Sequence, residues 1–228
     1  MHAGGWLAAF PQEDARVVVG AVCTVWKELA AMSPNTFHPG VPEPKLTELL
    51  CEQIRAVFKA RTKLTGQWSY ERRRAHIVKQ KSGSLAITKR SRTDIEYFSD
   101  RYGHPFELVF EFKKIDNTKK RRDLYIGEEG MLRFVTGKYS VKQPAAMMVG
   151  ILLKAEEDCL PPLVKRLQAS EVRAALKIKA PVNKAVEIPS KLFPIDARFD
   201  TEHHRDAGLA PPPGTLVISH IFLGFQTA

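Results

Sequence analysis

The chain has 228 residues, a formal net charge of +10 and a hydrophobic content of 44%, which together argue for a globular protein and against a disordered one. Its apolar runs are too short to span a bilayer, and its first residues lack the basic start and apolar core of a signal peptide. The three scattered cysteines argue against a disulfide framework or a zinc site, and they favour a cytoplasmic protein. The basic charge favours a polyanionic partner such as nucleic acid, although many proteins are basic without one.

Two helices are predicted in the first quarter of the chain. Apolar residues recur at helical spacing over residues 12–32, and Ser33-Pro34 ends this stretch. Residues 33–44 contain four prolines and are expected to form a loop. Residues 45–61 carry one continuous apolar stripe, which predicts a second amphipathic helix.

The segment from this helix to residue 92 is markedly basic. Residues 75–78 and 84–88 are short runs with strand character around a Ser-Gly turn, so they predict a hairpin. Cations on such a hairpin would position a nucleic-acid backbone through its phosphates, unless they form only a solvated face. The expected phosphate contacts in this segment are Arg72, Arg73, Arg74, Lys89, Arg90 and Arg92.

Residues 92–114 predict two strands joined by a turn, with Asp94 opening the first strand. Alternate residues of the second strand form a phenylalanine-rich face, so Glu111 and Lys113 share the opposite face. Pairing of the two strands would bring Asp94 beside them. Two carboxylates and a lysine at one point are costly to hold together without a bound cation. Magnesium is the obvious candidate because it prefers carboxylate oxygens.

A second group of cations follows the hairpin. Residues 116–122 predict a charged loop that could clamp a substrate backbone. The expected contacts here are Lys114, Lys119, Lys120, Arg121 and Arg122. Residues 128–140 then predict a helix, whose Arg133, Lys138 and Tyr139 could face the site. Residues 145–153 are continuously apolar and predict a strand buried on both faces.

The last third of the chain gives weaker signals. Residues 156–175 predict a helix that Pro161 and Pro162 interrupt, and residues 195–200 and 214–225 predict strands. Residues His203, His204, Arg205 and His220 form a histidine-rich constellation. It is either a polar cluster near the site or a surface turn plus a strand histidine. Histidine is less typical for magnesium than for zinc or manganese.

Asp94, followed on the next strand by Glu111-Phe112-Lys113, resembles the signature of the PD-(D/E)XK, or restriction-endonuclease-like, nucleases. The order helix, strand, Asp strand, ExK strand, helix, strand over residues 45–170 also resembles the core of that family. The residue before Asp94 is Thr93, whereas the family pattern has proline. The resemblance implies an α/β (α+β) fold with a mixed central β-sheet flanked by helices.

The resemblance also implies a domain organisation. An N-terminal helical segment, residues 1–44, is expected to pack on a nuclease-like core of residues 45–175. A C-terminal extension with strands, residues 176–228, is expected to belong to the same domain.

By the same resemblance, Asp94, Glu111 and the backbone carbonyl of Phe112 would hold one or two Mg²⁺ or Mn²⁺ ions, and Lys113 would orient the attacking water or stabilise the transition state. Some members place a glutamate of the first helix at the metal. Glu52 is the first candidate for that position and Glu48 the second, unless both are solvated. Some members also carry a QxxxY motif on the helix after the ExK strand, which this chain lacks.

The resulting prediction is a metal-dependent nuclease that hydrolyses DNA phosphodiester bonds in restriction, phage defence or DNA processing. It would act without a membrane, as a homodimer or with an ATPase or sensor protein. The alternatives are a nuclease-like module that binds nucleic acid without cutting it, and a subunit that contacts an acidic protein. The carboxylates favour the enzyme, because they would repel bound phosphates unless a metal intervened.

Overall fold

The computed structural model describes residues 10–33, 35–79, 85–101, 103, 105–179, 185–212 and 214–225, and for residues 74–79 and 85–91 it describes the backbone only. Within these ranges the chain is a mixed α/β structure. A six-stranded mixed sheet is flanked by helices, and two further strands form a sheet of their own.

The element bounds are as follows. The helices in the described ranges are α1 (Gln12–Met32), α2 (Glu43–Arg61), α3 (Lys119–Ile126), α4 (Met131–Val135), α5 (Glu156–Gln168) and α6 (Ser170–Ala175). The strands in the same ranges are β1 (Gln67–Tyr70), β2 (Arg73–Lys79), β3 (Leu85–Arg92), β4 (Ile95–Ser99), β5 (Phe106–Ile115), β6 (Ala145–Leu152), β7 (Phe199–His204) and β8 (Thr215–Leu223). The predicted first and second helices, and the strands predicted at 145–153 and 214–225, are confirmed to within two residues.

The strand order of the larger sheet is β1-β4-β5-β6-β8-β7, which puts β5 and β6 at its centre. Strands β1, β4 and β5 pair antiparallel, β5, β6 and β8 pair in parallel, and β7 pairs antiparallel with β8. Every residue of β6 is buried, as its apolar run predicted. The mixed central sheet is therefore confirmed, whereas its likeness to a restriction-endonuclease core stays a prediction.

Strand β5 separates two hydrophobic cores. Four alternating side chains pack in the core that α1 and α2 cover: Phe106, Leu108, Phe110 and Phe112. Val109 and Ile115 point the other way, into the core formed with α3, α4, α5 and α6. Because side chains alternate along a strand, Glu111 and Lys113 belong to this second face.

Residues 71–79 and 85–93 of the basic segment form an arm, built on the antiparallel pair β2 and β3. Its predicted turn at Ser82 and Gly83 lies outside the described residues. The root of the arm is bonded to the larger sheet, since the Glu71 N–H donates to the Asp94 carbonyl at 3.0 Å. The β2–β3 arm thus joins the sheet at the first residue of the predicted D…ExK signature.

The charged segment predicted as a loop is partly helical. The Thr118 hydroxyl accepts a hydrogen bond from the Arg121 N–H at 3.4 Å, which caps the start of α3. Tyr125 and Ile126 are buried at the other end of the helix. The cap and this buried turn outweigh the repulsion among the adjacent cations, so residues 119–122 form the first turns of a helix.

Three further predictions of element bounds are wrong. Helix α4 covers only Met131–Val135 of the predicted residues 128–140, and Gly137, at φ +72°, follows its end in the left-handed region. Helix α5 continues through both prolines because its buried side chains, including Leu163 and Leu167, anchor it, and the break falls at Ala169. The strand predicted at 195–200 is β7, which begins at Phe199 where pairing with β8 becomes possible.

Among the described residues, no helix combines the length and the apolar character needed to cross a membrane.

Candidate active site

The pairing of β4 with β5 brings Asp94, Glu111 and Lys113 together. Asp94 immediately precedes β4, and its Oδ2 accepts a hydrogen bond from the Phe112 N–H at 2.8 Å. Lys113 Nζ donates to Glu111 Oε1 at 2.9 Å and lies 4.0 Å from Asp94 Oδ2. The three side chains of the predicted signature therefore meet at one end of β5.

The Lys113 ammonium group lies among the oxygens predicted to bind a metal. Besides Glu111, Nζ donates to the Phe112 carbonyl at 2.6 Å and to Glu43 Oε1 at 3.1 Å. A cation at this point thus contacts two carboxylates and the predicted carbonyl ligand, and it approaches the third carboxylate, Asp94.

In the family pattern the glutamate comes from the first helix of the core, which is α2 here. The glutamate of α2 that reaches the site is Glu43, and the sequence prediction missed it. It is the first residue of α2, and its second oxygen, Oε2, accepts the Lys114 N–H at 2.8 Å. An acidic residue in the first turn of a helix is favourable, and that was the available signal. Glu52 was the wrong choice: it lies nine residues further on, about 13 Å along the helix axis, is exposed, and pairs with Arg55. Glu48 is likewise exposed.

Arg133 of α4 supports the site from the opposite side. Its Nη1 donates to Glu111 Oε1 at 3.0 Å and to the Tyr139 hydroxyl at 2.7 Å, and its Nη2 pairs with Glu129. Tyr139 in turn donates to the backbone carbonyl of Arg92. This chain of contacts links α4 to β5 and to the root of the β2–β3 arm. The sequence placed Arg133 and Tyr139 only as residues that could face the site.

Burial leaves the carboxylates of the site poorly stabilised as anions. Burial, reinforced by the neighbouring Asp94 carboxylate, raises the pKa of Glu111 to about 8, although Lys113 and Arg133 act in the opposite direction. Burial likewise raises the pKa of Asp94. Burial acts to lower the pKa of Lys113, but the attraction of Glu111, Asp94 and Glu43 outweighs it and raises that pKa. Without a further cation, Glu111 is therefore largely protonated at neutral pH.

The chemistry of these donors fits a hard divalent cation. Glu111 Oε2 is buried and has no hydrogen-bond partner among the described residues, so it is an acceptor that the protein leaves unsatisfied. Carboxylate and carbonyl oxygens are the ligands that Mg²⁺ prefers, with waters completing its shell. No group of three or more His, Cys, Asp or Glu side chains in the described ranges is arranged to hold a metal. The predicted set instead has two carboxylates, Asp94 and Glu111, and the Phe112 carbonyl.

The site opens into a cavity of about 440 Å³. Its walls combine carboxylates with cations. The acidic residues are Glu43, Glu71, Asp94 and Glu129, the cations are Arg92, Lys113, Arg133 and Lys138, and Pro44 and Tyr139 complete the lining. The predicted Arg133, Lys138 and Tyr139 thus line the same space as Asp94 and Lys113, while Glu111 lies buried behind it. A phosphate group in this cavity would meet Arg133 and Lys113 without leaving the reach of the carboxylates.

Several of the predicted phosphate-binding side chains are already paired, and all of these except the half-buried Arg122 are exposed. The pairs are Arg72 with Glu96 at 2.7 Å, Arg92 with Glu71 at 3.1 Å, Lys119 with Asp123 at 2.9 Å, and Arg122 with the Asn117 carbonyl at 2.5 Å. Exposed ion pairs are weak, so Arg92 and Lys119 can still exchange their carboxylate partners for phosphates. Arg72 differs, because its partner Glu96 is fully buried and depends on it as a counter-ion. Arg73, Lys120 and Arg121 have no such partner among the described residues. The side chains of Arg74, Lys89 and Arg90 lie outside the described residues.

Lys114 does not fit the predicted role of a phosphate contact. Its Nζ donates to the carbonyls of Pro39 and Val41, at 2.6 Å each. These bonds tie β5 to the loop before α2. Removing Lys114 from them would leave two carbonyl groups to find other donors, so its ammonium group serves the fold.

Two residues of the predicted histidine cluster, His203 and His220, belong to a buried hydrogen-bond chain. Tyr125 Oη is 2.9 Å from His220 Nδ1, Thr201 Oγ1 is 2.9 Å from His220 Nε2 and 2.7 Å from His203 Nε2, and His203 Nδ1 is 2.7 Å from the Leu176 carbonyl. One proton arrangement satisfies every contact: each neutral histidine donates at one nitrogen and accepts at the other. His204 is exposed. All four ring nitrogens of His203 and His220 are used within the fold, so neither ring is free for the predicted contact with a phosphate or a metal. His203 is buried in β7, so the alternative of a surface turn does not hold for it either.

The buried histidines stay neutral in the folded protein. Burial lowers the pKa of His203 to about 4, and burial together with His203 lowers that of His220 well below its usual range. In the unfolded chain both titrate near 6.5. The unfolded chain therefore takes up protons first, and the free energy of unfolding falls as the pH drops from 6.5 towards 4.

Thr201→Val is expected to lower the free energy of unfolding by about 2 to 4 kcal/mol, because the ring nitrogens of His203 and His220 both lose their buried partner. The measurement is urea unfolding at pH 7, with His204→Gln as the control at an exposed neighbour. Equal stability of the Thr201→Val protein and the wild type would contradict the hydrogen-bond chain.

Comparison of the chain with models of protein families, with curated proteins and with solved structures gives no match. The argument for function consequently rests on the geometry and chemistry of the site.

Proposed function

We propose that this chain is a metal-dependent nuclease with a restriction-endonuclease-like core, acting on DNA. The observation that carries the proposal is the meeting of Asp94, Glu111 and Lys113 beside a cavity lined by cations, with a buried Glu111 oxygen that has no partner in the described part of the chain. Restriction, phage defence or DNA processing is the setting we propose, as a homodimer or with a partner ATPase or sensor.

In this proposal Asp94, Glu111 and the Phe112 carbonyl would hold Mg²⁺ or Mn²⁺. When bound, such an ion lowers the pKa of a water and neutralises charge that develops on a phosphate. Lys113, whose pKa is raised by its carboxylate neighbours, stays protonated and donates to the attacking water or to a phosphate oxygen. Arg133 keeps Glu111 oriented through Oε1 and presents its guanidinium to the cavity, where it stabilises the same developing charge.

A second candidate function is a nucleic-acid-binding module that does not cut. The observation that favours it is the position of Lys113, whose ammonium already satisfies the Phe112 carbonyl and two carboxylates without a metal. Such a module would bind DNA equally well with EDTA.

The test is cleavage of plasmid DNA by wild-type protein and Lys113→Ala in Mg²⁺, Mn²⁺ or EDTA. We expect cleavage by the wild type only with metal, and a loss of about 10²- to 10³-fold in Lys113→Ala, as found when one transition-state donor is removed. Lys165→Ala, which removes the same charge from an exposed position on α5, is the matched control. Metal-independent binding without cleavage would favour the module. Full activity of Lys113→Ala would refute the proposed nuclease.

A further inference from the structure

The ammonium group of Lys113 already uses its full hydrogen-bonding capacity inside the candidate active site. An ammonium group has three N–H donors. They meet three acceptors, which are the Phe112 carbonyl at 2.6 Å, Glu111 Oε1 at 2.9 Å and Glu43 Oε1 at 3.1 Å. No N–H is then left for an attacking water or a phosphate oxygen. Lys113 therefore has to give up at least one of these contacts before it can act on a substrate.

The same contacts put a positive charge on oxygens that are proposed to bind the metal. The Phe112 carbonyl and Glu111 serve in both roles, and Oδ2 of the third proposed ligand, Asp94, lies 4.0 Å from the ammonium nitrogen. Against a divalent ion on these ligands, the ammonium would be a like charge in a buried site, where repulsion is only weakly screened. Lys113 and the metal therefore compete for one place.

The Lys113 side chain is the movable part of this arrangement. Asp94 is held by the Phe112 N–H at 2.8 Å, and Glu111 is held by Arg133 at 3.0 Å. The lysine side chain is long and flexible, 13% of it is exposed, and it lines the cavity of the site. A change of its rotamer frees the carbonyl and carboxylate oxygens without any movement of β5.

We propose that Lys113 is an internal counter-cation, which occupies the metal position in the metal-free protein, and that a divalent metal displaces its ammonium group into the cavity. This inference rests on the proposed nuclease function and concerns the regulation of the same site. The displacement frees the N–H donors of Lys113 for a water or a phosphate oxygen only once the metal is bound. Lys113 thereby weakens metal binding in the absence of substrate. By linkage, a phosphate that attracts the released ammonium strengthens metal binding.

The first test measures metal binding without nucleic acid. Isothermal titration of Mg²⁺ and of Mn²⁺ into the EDTA-treated protein compares the wild type with Lys113→Met, which keeps an unbranched side chain and removes the charge. We expect Lys113→Met to bind metal about tenfold more tightly or more, because a buried like charge is gone. Lys165→Met, the same change at an exposed position on α5, should bind as the wild type does. Adding Asp94→Asn to Lys113→Met should remove the binding, which locates the metal.

The second test needs no substitution in the site. Acetylation of the lysines of the wild-type protein is followed residue by residue by mass spectrometry, in EDTA and in Mg²⁺. We expect Lys113 to react several times faster in Mg²⁺, because its amine is then no longer held by the carboxylates and the carbonyl. Lys165 should react at the same rate in both conditions.

The outcomes separate the inference from the function on which it rests. Equal or weaker metal binding by Lys113→Met would overturn the inference, as would unchanged acetylation of Lys113 in Mg²⁺. Metal-dependent plasmid cleavage would in either case leave the nuclease standing. Tighter binding by Lys113→Met, with no cleavage by the wild type, would keep the displacement and overturn the nuclease. Absence of metal binding by both proteins would overturn both.

Discussion

Glu111→Gln is expected to reduce metal-dependent cleavage by about 10³-fold or more while leaving the fold intact, and Asp94→Asn to do the same. Glutamine keeps the shape of the side chain and an oxygen that can accept from Lys113, so the contacts of β5 persist. What is lost is the negative charge that a divalent ion requires. Because burial raises the pKa of Glu111 to about 8, this side chain is largely neutral at pH 7, so we expect a neutral amide to leave the stability of the metal-free protein close to that of the wild type.

The matched contrast is Glu52→Gln, the same chemical change at the exposed glutamate that the sequence suggested. It should leave both cleavage and stability unchanged. Initial cleavage rates in Mg²⁺ and thermal unfolding of the three proteins measure the two effects separately. Wild-type cleavage by Glu111→Gln, or a strong loss in Glu52→Gln, would show that the metal site is placed wrongly.

The metal-free protein is expected to lose stability as the pH rises from 6.5 to 8, and Mg²⁺ is expected to restore it. The pKa of Glu111 is raised from 4.5 to about 8, so between these values the folded protein keeps a proton that the unfolded chain has released. The free energy of unfolding therefore falls with rising pH, by at most about 1.4 kcal/mol per pH unit. The buried histidines make the free energy of unfolding rise with pH, but only below pH 6.5. The fall expected between pH 6.5 and 8 is therefore attributed to Glu111.

Mg²⁺ binds the deprotonated carboxylates, so its stabilising effect should grow with pH. At 100 times its dissociation constant a ligand adds about 2.7 kcal/mol. Urea unfolding at pH 6.5, 7.2 and 8, with EDTA or Mg²⁺, measures both the slope and the gain. The Glu111→Gln protein should show neither. A gain from Mg²⁺ that is the same at every pH, or that persists in Glu111→Gln, would argue against a metal at these carboxylates.

The meeting of Asp94, Glu111 and Lys113 was predictable because the period of a strand fixes which residues share a face, and a short hairpin fixes which strands pair. The choice of Glu52 failed for a different reason. A helical wheel reports the direction of a side chain around the axis but not its position along it, and only the start of α2 reaches β5.

Three further errors have different physical causes. The ammonium of Lys114 reaches carbonyls more than 70 residues earlier in the chain, and no local pattern identifies such a partner. The helix α3 was not predicted because its first residues are consecutive cations, which are typical of a solvated loop. The capping residue Thr118 was the only local signal for a helix start, and it is a weaker one. The histidines could not be separated from a metal site by type alone, since burial decided their role.

The root of the β2–β3 arm has a mechanical consequence. The Glu71 amide is bonded to the carbonyl of Asp94, and the carbonyl of Arg92 accepts from Tyr139, which holds Arg133. The arm is therefore connected to the site at two points. One is the backbone of Asp94, and the other is the guanidinium of Arg133, which contacts Glu111. Under the proposed function, a movement of the arm on binding nucleic acid would therefore also shift the positions of Asp94 and of Arg133, which contacts Glu111.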